Sequence, residues 1–130
     1  MKQKYILRFL LLAIITLGGM NISKATHIAG NEITIECIGQ DSFLITLNLY
    51  RDCSGISAPP TASLSIDNSC GFNVSNVSLQ LINPGGTEVS QLCASSIPFS
   101  TCNGGSLPGM QQYIYTGIVV LPGICPDWTF

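Results

Sequence analysis

The chain has 130 residues, 46% of them hydrophobic and only 9% charged, a length that fits one compact unit better than two. Four of the five basic residues, Lys2, Lys4, Arg8 and Lys24, precede residue 26, whereas all seven acids follow it, so the remainder carries Arg51 alone against seven acids, a net charge of −6. Such a surface cannot neutralise phosphates, which argues against nucleic acid and anionic lipid as partners.

Residues 1–8 form a basic start, and Phe9 to Leu17 is an uncharged apolar stretch too short to span a bilayer as a helix. Gly18-Gly19 breaks it, and Ser23-Lys24-Ala25 places small residues where a signal peptidase reads them. The expected organisation is a signal peptide over 1–25, cut before Thr26, and an exported domain over 26–130 with no membrane span. Cys37, Cys53, Cys70, Cys93, Cys102 and Cys125 all fall in the exported part, where an oxidising compartment favours disulfides over metal ligation.

The exported part alternates apolar and polar residues in short runs separated by Gly, Pro, Asn and Ser, the pattern of an all-β domain. In the first run Ile33, Ile35 and Cys37 alternate with Glu32, Thr34 and Glu36, which predicts one wet face. The run 42–51 puts Phe43, Ile45, Leu47 and Leu49 on one side. A hairpin over Gly39-Gln40-Asp41 opposes Cys37 with Phe43, Ile35 with Ile45 and Ile33 with Leu47; a loop one residue shorter would set Ile35 against Thr46. In that register Cys53 lies about 33 Å along the strand from Phe43. Cys37 and Cys53 therefore cannot bond to each other.

Residues 52–62 read as a loop and 63–67 as a short strand. Residues 73–82 form a further strand, and after the turn Asn83-Pro84-Gly85-Gly86 the run 87–93 is expected to return against it, with Val89 opposite Leu81. The stretch 94–111 is rich in Gly and Pro and reads as a long surface loop. A bridge between Cys93 and Cys102 would pin that loop, and this is the pair expected first. Residues 113–121 are apolar on both parities, which predicts a central strand covered on both sides. Asp127 to Phe130 begins an alternation that stops, suggesting a domain truncated at its C-terminal side.

Catalytic readings find little support. His27 is the sole histidine, and no serine lies in a Gly-x-Ser-x-Gly elbow. Glu32 and Glu36 stand about 13 Å apart on one strand, wider than the roughly 5–9.5 Å of glycosidase carboxylate pairs. Asp52, Asp67 and Asn68 lack the spacing of a calcium loop and read as turn residues. No catalytic, metal or cofactor site is expected. Tyr113, Tyr115 and Trp128 are the candidate ligand-contact aromatics, a platform for sugar rings, although filling the core is the favoured role for aromatics in so apolar a chain.

The segment 26–34, Thr-His-Ile-Ala-Gly-Asn-Glu-Ile-Thr, resembles the opening of large secreted surface proteins of Bacteroidetes, which carry immunoglobulin-like or PKD-like modules and a gliding-motility-associated C-terminal domain. The likeness continues through 45–53, 115–122 and 125–130, while 54–112 matches only loosely. Asn31 stands where such proteins usually have a second glycine, and Ile35 where they have an aromatic. The resemblance implies general secretory export, then release or display by the type IX system through a downstream sorting signal, at the outer cell surface. The resulting expectation is a disulfide-stapled antiparallel β-sandwich, immunoglobulin-like or PKD-like. Its role would be non-catalytic, in adhesion or structure, with downstream modules, a surface glycan or another protein as partners. A carbohydrate-binding module is the alternative, and a secreted hydrolase fragment the third reading.

Overall fold

The structure is a computed structural model that describes residues 28–130. The expected signal peptide and His27 lie outside them. The described chain is a disulfide-stabilised all-β fold with strands β1 (Ile28–Gly39), β2 (Ser42–Asp52), β3 (Thr61–Ile66), β4 (Val74–Leu81), β5 (Thr87–Glu88) and β6 (Met110–Val120). They form one antiparallel sheet in the order β1-β2-β6-β4-β3, with β5 added on β6.

The β1–β2 hairpin has the register that its alternation demands: Cys37 faces Phe43, Ile35 faces Ile45 and Ile33 faces Leu47. The turn is one residue shorter than the expected Gly39-Gln40-Asp41 loop: Gly39 pairs with Ser42, Gln40-Asp41 make the turn with Asp41 left-handed (φ 56°), and an irregularity between Cys37 and Gly39 restores the register that the shorter loop would otherwise have slipped. β6 pairs along all of β2, from Ser42 opposite Val120 to Asp52 opposite Met110, and so places Tyr113, Tyr115, Gly117 and Val119 on the inner face beside Leu49, Leu47, Ile45 and Phe43. β4 joins β6 through Gln80–Thr116 and Leu81–Tyr115 only. It then crosses the inner face of β6 at Gly117, and the β3–β4 hairpin covers the core in a sandwich-like manner. Ile45, Ile66, Leu79 and Tyr115 are almost wholly buried there. A bulge on β4 opposite Ser65, with Asn76 left-handed (φ 61°), bends that hairpin.

Four further expectations need correction. β6 is central, but Ile118 and Val120 on its outer face are 63% and 64% exposed because no second layer covers that side. The inner-face residues Ile33 and Ile35 of β1 are also exposed, since the β3–β4 cover reaches β2 and β6 but not the edge. The segment after the 83–86 turn does not return on β4. The Asn83 amide donates to the Gln112 carbonyl and accepts from the Ile114 N–H, taking a rung of the β6 ladder, so β5 runs on along β6 with Thr87 opposite Gln112. Lastly, Cys102 is bonded to Cys53, not Cys93, and Cys70 is bonded to Cys125. Cys37 and Cys93 are exposed free thiols.

Candidate contact surfaces

One end of the sheet gathers the long loops. Arg51, the last inner-face residue of β2, is 8% exposed and spends its guanidinium on the carbonyls of Asp52, Cys53 and Ile56. Its charge also lies 5.7 Å from the Tyr113 ring centre, where the aromatic face attracts a cation. The one cation of the described residues is therefore committed to holding the 52–60 loop. Immediately beyond it, Cys53 is tied to Cys102, and its N–H donates to the Gly109 carbonyl, so the 89–109 segment is fastened to the same sheet end.

The 89–109 segment is further pinned by Glu88. Its carboxylate accepts from the Ser90 hydroxyl (2.7 Å) and the Asn103 amide (2.8 Å). Hydrogen bonding from Ser100 and then Ser90 holds the Glu88 carboxyl below its ordinary range, against a smaller opposing effect of burial, with Asn103 adding least. Ser100 is fully buried, so this group of hydroxyls around a carboxylate acts as a structural lock rather than an exposed nucleophile site.

Between the fastened loop and the β1–β2 hairpin lies a cleft of about 810 Å³. Tyr50, Asp52 and Gln112 from β2 and β6 form its polar wall, and Val89, Leu92 and Met110 its apolar one. Gln112 donates to the Asn48 side chain (3.2 Å) and to the Tyr50 hydroxyl (3.4 Å), which sets the wall's orientation. A second hollow of about 60 Å³, roofed by Ile56, Ala58 and Pro59 above Arg51, is too small for more than solvent.

The aromatics singled out from sequence do not meet at either place. Tyr113 and Tyr115 are buried in the core, and the Tyr115 hydroxyl donates to the Pro59 carbonyl at 2.8 Å. Burial, followed by the neighbouring Tyr113, pushes the Tyr115 phenol above its ordinary range. Trp128 is half-buried and stacked on Phe72 with ring centres 5.9 Å apart. Tyr113 and Tyr115 thus take the core role favoured for them from sequence, because their parity points them inward. Tyr50, on the opposite parity of β2, is the aromatic that lines the cleft.

Cys70, Cys125 and Asp127 bring ligand-type atoms within 4.8 Å of one another, but the two sulfurs are consumed in a disulfide and offer no thiolate to a metal. Asp127 instead receives the Ser69 N–H at 3.2 Å, and hydrogen bonds from Ser69, side chain first and backbone second, hold its carboxyl below the ordinary range. Glu32 and Glu36 stand on the exposed outer side of β1, opposite Asn48 and Leu44, and are not brought together. No helix among the described residues is long and apolar enough to cross a membrane. Comparison with family models, curated proteins and solved structures finds no match to this chain.

Proposed function

We propose that this chain is a non-catalytic module of an exported protein, acting in adhesion or structure by holding two loops rigidly at one end of a sheet. The observation that carries the reading is the Cys53–Cys102 bridge, which joins the 52–60 and 89–109 loops across 49 residues of sequence. Crosslinks of this kind persist in oxidising compartments, and loops held by a rigid scaffold are the usual place for contact residues. The cleft beside them, with Tyr50 and Gln112 on its wall, is the contact region offered to a glycan, a protein or an adjoining module.

The likeness to secreted Bacteroidetes surface proteins supports the same reading in spatial terms. Its blocks, distant in sequence, fall on the neighbouring strands β1, β2 and β6 and on the segment tied down by Cys125, whereas the loosely matching 54–112 stretch contains both long loops together with β3, β4 and β5. Fractionation of the native cell followed by N-terminal sequencing tests this: export with Thr26 as the first residue is expected. Recovery from the cytosol with Met1 retained and both bridges reduced would overturn it.

A further inference from the structure

We propose that the free edge of β1 receives an extended segment of another protein, one in which apolar residues alternate with polar ones and lysine or arginine occurs at two positions four residues apart. β1 is 12 residues long and pairs with β2 on one side only; among the described residues nothing pairs with its other side. A long open edge is a template for strand addition unless it is guarded. Register irregularities between Ile28 and Gly30 and between Cys37 and Gly39 mark its two ends, and the regular stretch between them is guarded by charge alone. Ile33, Ile35 and Cys37 are exposed along the inner face, while the outer face carries Glu32 and Glu36, with Thr34 between them.

Those two carboxylates decide which strand fits. In an antiparallel pairing of two copies of β1 that keeps apolar residues on one face, each residue meets one of its own parity. Centring the pair on Thr34 sets Glu32 directly against Glu36, and centring it on Glu32 or Glu36 sets each against its own copy. Centring on Ile33, Ile35 or Cys37 puts like glutamates on the diagonal. Each of these registers, the ones that overlap most of the 32–37 stretch, brings like charges together, so β1 disfavours a second copy of itself there. Among the described residues nothing relieves this, because Arg51 is their sole cation and is buried under its loop. A strand from elsewhere with cations opposite Glu32 and Glu36 meets no such conflict, and its apolar residues extend the row formed by Ile33 and Ile35.

The test uses the purified protein and a nine-residue peptide alternating valine with polar residues, with lysine at its third and seventh positions, followed by amide NMR at low salt. The lysine peptide should shift the amides of 30–38 and bind about tenfold more tightly than the same peptide with glutamate at those positions, as expected for two cross-strand charge pairs. Glu32→Gln with Glu36→Gln should abolish that preference, and Glu32→Lys with Glu36→Lys should reverse it; both side chains are exposed, so neither change threatens folding. Equal binding of the two peptides, no binding of either, shifts confined to the cleft, or a dimer of the peptide-free protein paired through β1 would each overturn the proposal.

Discussion

Leu79 lies so close over Gly117 that a β-carbon built on the glycine would come within 2.6 Å of the leucine Cδ2 and 3.0 Å of the Ser78 carbonyl oxygen. This is where β4 leaves the sheet edge and passes over the inner face of β6, and the absence of a side chain at 117 is what lets the two backbones approach. Leu79 is 1% exposed and has no open side toward which to retreat.

Replacing Gly117 should therefore destabilise the fold despite the entropic gain that a glycine replacement brings elsewhere in a strand. Gly117→Val is expected to cost about 1–3 kcal/mol, the range for overpacking a core, and Gly117→Ala less. Urea unfolding measures both. In a Leu79→Ala background, where the obstructing methyl groups are gone, the penalty of alanine at 117 should fall to what its approach to the Ser78 carbonyl leaves; an unchanged penalty there would place the strain elsewhere.

Arg51 is the second point at which one residue holds two elements together. Arg51→Lys keeps the charge but loses the planar fork that serves three carbonyls, and a loss of about 1.5–3 kcal/mol is expected. Hydrogen exchange should locate the change in amides of the 53–59 stretch, with the β2–β6 ladder unaffected. Uniformly faster exchange across the sheet would mean that Arg51 supports the core rather than the loop.

The two bridges enclose separations of 49 and 55 residues, for which the chain-entropy treatment gives about 4 kcal/mol each as an upper figure. Because the two loops interlock, each bridge closes a shorter effective loop while the other is intact, so removing both should cost more than the sum of the single losses. Cys37→Ser and Cys93→Ser should by contrast change stability by no more than about 0.5 kcal/mol, since both thiols are exposed and unbonded. Non-reducing peptide mapping should recover Cys53 with Cys102 and Cys70 with Cys125, with Cys37 and Cys93 open to alkylation; a Cys93–Cys102 peptide would contradict the fold at its loop end.

That last contrast shows where the sequence was readable. The β1–β2 register follows from a period of two and a short loop, so Ile35 opposite Ile45 could be set from parity alone. The partner of Cys102 could not, because it depends on β6 running antiparallel to β2 down to Met110 opposite Asp52, a pairing of strands far apart in the chain. The same holds for the cleft: Tyr50 and Gln112 face each other across that non-local register, and nothing near either residue announces it. Asn83 was legible as a turn residue but not as the amide that takes a rung of the β6 ladder and diverts β5. Local alternation also cannot tell how far a covering layer reaches, which is why Ile118, on the uncovered face of β6, and Ile33, on an edge the β3–β4 hairpin does not reach, read as covered and are exposed.

Acid should weaken the loop end before the core. Glu88 and Asp127 both have carboxyl groups held below their ordinary values of 4.5 and 3.8, Glu88 by Ser100, Ser90 and Asn103, and Asp127 by Ser69. The unfolded chain therefore takes up these protons at a higher pH than the folded one does. The stability they contribute is complete above the ordinary values and is lost as the pH falls through the depressed ones. Glu88→Gln should flatten the acid limb of the stability profile below about pH 4.5 while leaving the neutral plateau lower, because the amide accepts fewer of the three hydrogen bonds. Urea midpoints taken from pH 7 down to pH 3 for the two proteins would show it, and parallel curves would mean that Glu88 titrates alike in the folded and unfolded chain.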